Sequence, residues 1–118
     1  MPYEQHREAS YAQDAETVFK AGLKANEALG GQVVTNTPAK CHLEVKMPKT
    51  IQGKVLGERT YVTFEVRAQG EHRLAVVDAY PLDAIERKLM FGARKGVTEA
   101  VVGLFMEQLE LLLGAPVK

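Results

Sequence analysis

PLDAIERKLMFGARKGVTEAVVGLFMEQLELLLG, residues 81–114, is the longest continuously periodic stretch of the chain, so whatever it packs against is the core. Read at helical period, its apolar stripe runs Ile85, Leu89, Ala93, Val97, Val101 and Leu104, then Gln108 and Leu112, with Phe105 and Leu111 beside it. Asp83 followed three residues later by Glu86 is a capping box at the start, and Gly114 with Pro116 ends the run. The spacing predicts one long amphipathic helix over Pro81–Gly114. A break near Gly92 stays open, because a glycine within a helix costs about 1 kcal/mol against alanine.

Upstream the period changes to two. Cys41, Leu43, Val45 and Met47 alternate with His42, Glu44 and Lys46; Thr60, Val62, Phe64, Val66 and Ala68 alternate with Tyr61, Thr63, Glu65 and Arg67. One apolar face per strand is the pattern of an antiparallel sheet covered on one side. Gln69-Gly70-Glu71 is a hairpin turn into a strand over Arg73–Tyr80, and Asn36-Thr37-Pro38 is a turn before the Cys41 strand. Val33–Thr35 and Ile51–Leu56 are weaker strands, the second bounded by Gly53 and Gly57, which suggest a bulge or bend.

Before the strands, Ala15, Val18, Phe19, Gly22, Ala25 and Leu29 recur at helical spacing, and Gly30-Gly31 stops that helix. Ser10 with Gln13 reads as its capping box. Residues 3–9 read as an edge strand or as a loose arm. The expected fold class is α+β: a two-layer sandwich in a single domain over 1–118. An antiparallel sheet of four to six strands carries an N-terminal helix and a long C-terminal helix on one face.

Composition narrows the function. Fifteen basic residues balance fifteen acidic ones, which argues against an obligate nucleic-acid binder. The single Cys41 excludes an internal disulfide and fits a reducing compartment; with no apolar run near 18 residues and no apolar leader, a soluble cytoplasmic protein is the expectation.

Four groups of residues are candidates for chemistry. Arg87, Lys88, Arg94 and Lys95 form the one dense basic cluster, either an anion patch or the solvated outer side of a helix. Gly92, Gly96 and Gly103 give a helix face with little side-chain volume, suited to close packing or a symmetric dimer. Cys41 and His42 point to opposite faces of a strand, so they do not share a metal; Cys41 reads as a small core residue, and no metal or cofactor is expected. Asp78 faces inward if Leu74, Val76 and Tyr80 do, where it would be an acid–base candidate. It faces solvent if Ala75, Val77 and Ala79 form the inner row, the reading preferred here. No nucleophile–base pair is visible.

Glu8-Ala9-Ser10-Tyr11-Ala12-Gln13-Asp14-Ala15-Glu16-Thr17-Val18-Phe19, with the closing helix after a run of strands, resembles the helix-grip superfamily of START and birch-pollen-allergen type proteins. Two departures stand out: one helix after the first strand in place of two, and at least one strand fewer in a short chain. The resemblance implies a cavity for an apolar ligand between sheet and long helix, and carries over no catalytic residue. The expected function is a non-catalytic binding module for an apolar or amphipathic small molecule, lined by Leu43, Val45, Met47, Phe64, Met90 and Phe105. A homodimeric assembly protein without a ligand is the alternative.

Overall fold

The computed structural model describes residues 4–89 and 96–117. The first described element is strand β1 (Gln5–Tyr11), so the edge-strand reading holds for Gln5–Ala9, while Tyr3 lies outside the described residues. Helix α1 (Ala15–Leu29) follows with the expected boundaries. Its cap is different: Asp14 Oδ1 accepts from the Thr17 amide at 2.8 Å. Ser10 lies within β1 and donates to Gln69, while Gln13 Nε2 donates to the Leu113 carbonyl. The spacing of serine and glutamine suggested a cap, but the acceptor one turn nearer the helix took the role. Gly30, at φ 77, ends α1 in the left-handed conformation.

Strand β2 (Gln32–Thr37) pairs with β3 (His42–Met47) across a bulge between Val33 and Thr35; a 3₁₀ turn over Pro38–Lys40 joins them. Cys41 stands at φ 48 before β3 rather than within it. The Ile51–Leu56 segment is a small hairpin, β4 (Thr50–Ile51) and β5 (Lys54–Val55), turning at Gln52 and Gly53 with both φ positive. Strands β6 (Thr60–Gln69) and β7 (His72–Pro81) form the central hairpin, with Gly70 at φ 60 in its two-residue turn. The main sheet has five strands in the order β1-β7-β6-β3-β2, all antiparallel.

The last helix, α2, covers Val97–Leu113, not Pro81–Gly114. Asp83 Oδ1 accepts from the amides of Ile85 and Arg87 in a tight turn, Glu86 has φ 63, and the Leu89 amide returns to the Pro81 carbonyl at 2.9 Å. A left-handed glutamate ends any helix there. Gly96 sits in the cap at φ 82, and Gly92 lies outside the described residues.

Both helices lie on one side of the sheet, where α1 meets β3 and β6 while α2 meets β1 and β7. The inner rows are Leu43, Val45 and Met47 of β3, Val62, Phe64 and Val66 of β6, and Ala75, Val77 and Ala79 of β7, all buried. Phe64 is the centre. Its ring lies 6.3 Å from Phe19 of α1 and 5.4 Å from Phe105 of α2. Gly22 lets α1 come down on that ring, since a β-carbon there would stand 2.2 Å from Phe64 Cε2. Gly96 and Gly103 have nothing within 4 Å of their would-be β-carbons, so of the described helix glycines it is Gly22 that makes the close approach.

Candidate functional site

The inner face gathers five of the expected lining residues. Leu43, Val45, Met47, Phe64 and Phe105 stand in one contiguous cluster, each no more than 1% exposed; Met90 lies outside the described residues. Their alternation along β3 and β6 puts them on the covered face, and the 3.6 period of α2 brings Phe105 down on Phe64. The cluster is closed against water in this conformation.

Open apolar space adjoins it at the edge of α1. A groove of about 630 Å³ is lined by Ala15, Phe19, Leu23, Pro38, Ala39 and Cys41, with Glu16 and Lys20 at its rim. That lining is almost wholly hydrocarbon, and the volume is in the usual range of small-molecule sites, about 300–1,000 Å³. The positive φ of Cys41 turns the chain from the 3₁₀ segment into β3, which places Pro38, Ala39 and the thiol opposite the Phe19–Leu23 side of α1. Phe19 belongs both to the groove and to the ring stack, so Phe19, Phe64 and Phe105 join the opening to the interior. The sequence pointed to the inward rows but not to this groove, whose signal was the exposed-side Leu23 one turn after Phe19.

A second cleft, of about 410 Å³, lies beside the β4–β5 hairpin and is lined by Lys49, Arg59, Leu82, Asp83, Glu86 and Leu89 among others. Its chemistry is already spent on itself. Arg59 donates to the carbonyls of Met47 and Lys46, to Gln32 and to Glu86.

Of the four basic residues, the two described ones, Arg87 and Lys88, turn to different partners. Arg87 Nε stands 3.8 Å from Asp83 Oδ2 and is largely in solvent, while Lys88 pairs with Glu4 and sits 5.2 Å over the Tyr80 ring. Arg94 and Lys95 lie outside the described residues.

The opposite face of the sheet is a polar network. Asp78 is on it, its side chain 53% exposed, because Ala75, Val77 and Ala79 form the inner row as preferred. It pairs with His6, which also meets Glu8. His42 bridges Glu44 and Glu65, Arg67 donates to Glu65, and Tyr61 donates to Glu44 while stacking on Tyr80 at 5.3 Å. Loss of solvent and then the Glu44 carboxylate push the Tyr61 hydroxyl up to about 12. The Tyr61 hydrogen bond, followed by His42, holds Glu44 below the usual carboxylate value; Arg67, then His42, does the same for Glu65. Among the described residues no group of three or more potential ligands is arranged to hold a metal ion.

No family model matches the chain, and no curated protein matches it. Solved structures do. The crystal structure of Ara h 8.0201, a helix-grip protein of the birch-pollen-allergen kind, aligns over 94% of this chain and 97% of its own, with a TM-score of 0.60 and 12% identity. Protein CV1439 from Chromobacterium violaceum aligns over 97% and 99%, with a TM-score of 0.61 and 9% identity. At such identities the likeness is one of fold. The chain has a helix-grip-like α+β fold, with a single helix between β1 and β2 and, among the described residues, two of seven strands set apart in the β4–β5 hairpin. No described helix is long and apolar enough to cross a membrane.

Proposed function

We propose that this protein is a non-catalytic binding module for an apolar or amphipathic small molecule, held in the α1 groove against the outer side of the packed layer between sheet and helices. The observation that carries this is the apolar lining of the groove, whose floor at Phe19 is backed by the packed rings of Phe64 and Phe105. The helix-grip likeness supports the binding role, since that resemblance implies a ligand held between sheet and C-terminal helix. An amphipathic ligand would lay its apolar body along Leu23, Pro38 and Cys41 and set a polar end near Lys20 or Glu16. The half-buried thiol of Cys41 suits a reducing compartment.

Titration with the fluorophore 1-anilinonaphthalene-8-sulfonate tests the reading. Wild type is expected to bind it saturably at one site. Leu23→Glu, which sets a negative charge in the apolar groove against the sulfonate of the fluorophore, is expected to weaken binding about tenfold or more, equivalent to about 1.4 kcal/mol. Ile85→Arg, at an exposed position elsewhere, is expected to leave binding unchanged. Unsaturable binding, or equal affinity in all three proteins, would remove the proposal.

The homodimer reading has one observation in its favour: Val33 and Val34 leave nearly half their surface in water on edge strand β2. The bulge beside them guards that edge against a continued ladder, which is why ligand binding ranks first. Light scattering at micromolar concentration decides between 13.0 kDa and twice that mass.

A further inference from the structure

On the open face of the sheet two histidines make the same contact. His6 of β1 sets Nδ1 2.5 Å from Asp78 Oδ1 of β7 and Nε2 2.7 Å from Glu8 Oε2 of its own strand. His42 of β3 sets Nε2 2.7 Å from Glu44 Oε2 of its own strand and Nδ1 3.1 Å from Glu65 Oε1 of β6. A neutral imidazole has one N–H and one lone pair, so it donates to one carboxylate and turns a lone pair on the other. Only the imidazolium satisfies both.

We propose that these are two proton-dependent clasps, and that the one at His6 holds edge strand β1 on the sheet, releasing its Gln5–Glu8 half when the ring loses its proton. The two sites share chemistry but not topology. Strand β3 is paired on both sides, by β2 and β6, so its ladders keep it in place whether or not His42 is charged. Among the described strands β1 pairs only with β7. Its far end is tied by Ser10 to Gln69 and by the Val117 amide to the Ser10 carbonyl. The Gln5–Glu8 half has the His6 contact on the open face, with Arg7 at 4.0 Å from Glu99 on the other face and Lys88 on the neighbouring Glu4.

The charged groups facing His6 are Glu8 from β1 and Asp78 from β7. Those facing His42 are Glu44 from β3 and Glu65 from β6, themselves held by Tyr61 and Arg67. Asp78, then Glu8, raises His6 above its ordinary value, and Glu44 does the same for His42. A raised histidine stabilises the fold fully below its unfolded value, about 6.5, and the contribution is lost as pH rises through the native value. Acid closes the clasp and alkali opens it.

Amide hydrogen exchange, divided by the intrinsic rate at each pH and read beside the His6 ring titration by NMR, tests this on the whole chain. From about pH 6 to about pH 9 the Arg7 amide, which faces β7 opposite Val77, is expected to lose protection, by up to tenfold for each unit that His6 is raised, with a midpoint that follows the ring. Amides of β3 are expected to show no such step. His6→Gln keeps one donor but no titrating proton, so its β1 exchange is expected to be independent of pH; Asp78→Asn is expected to move the His6 titration and the β1 step down together. Flat β1 protection in wild type while His6 titrates overturns the proposal, as does a step that survives in His6→Gln.

Discussion

The two faces of the sheet carry the same strands and obey different physics. On the inner face Phe64 touches rings from both helices and has almost no exposed surface, so its neighbours cannot move to absorb a change. On the outer face Glu65, one residue along, is held by Arg67 and His42 at the edge of water, where charges are screened and side chains rearrange cheaply. Stability is concentrated on one side of the strands and pH response on the other.

Substitutions sharpen that contrast. The largest effect is expected from Phe64→Ala, about 3–5 kcal/mol of unfolding free energy by urea titration, because a ring shared by two helices leaves a void neither can fill. Gly22→Val is expected to cost about 2–3 kcal/mol: its side chain meets the Phe64 ring, and strain outweighs the modest gain of replacing a helix glycine. Asp14→Ala removes the α1 cap and is expected to cost about 1 kcal/mol. Arg67→Ala on the outer face is expected to change stability by less than about 0.5 kcal/mol. A cost for Arg67→Ala as large as that of Gly22→Val would break the distinction between the faces.

What could be read from the sequence follows the same division. Alternation in β3 and β6 indicated which residues face the core, because one-residue shifts would expose a whole row. In β7 both registers stayed open with Asp78 outside preferred, and the structure turns Ala75, Val77 and Ala79 inward. Helix α1 was legible from its stripe and its glycine stop. The start of α2 was not. Ile85 and Leu89 stand at helical spacing, and Asp83 accepts amide hydrogen bonds two and four residues on, as a capping residue does in a first turn. The deciding event is the left-handed backbone at Glu86, which no local preference of glutamate announces. For the site, the inward rows were visible, but the groove depends on the turn at Cys41 bringing residues 38–41 against α1, a contact between segments that share no pattern.

The most direct test of the account is a map of backbone amide shifts as 1-anilinonaphthalene-8-sulfonate is added to the labelled protein. Ala15, Leu23, Ala39 and Cys41 are expected to move together along one saturable curve while Thr63, Glu65 and Asp78 stay still. Shifts centred on Thr63 and its neighbours, with Leu23 and Cys41 unmoved, would place the ligand on the wrong side of the sheet and contradict it.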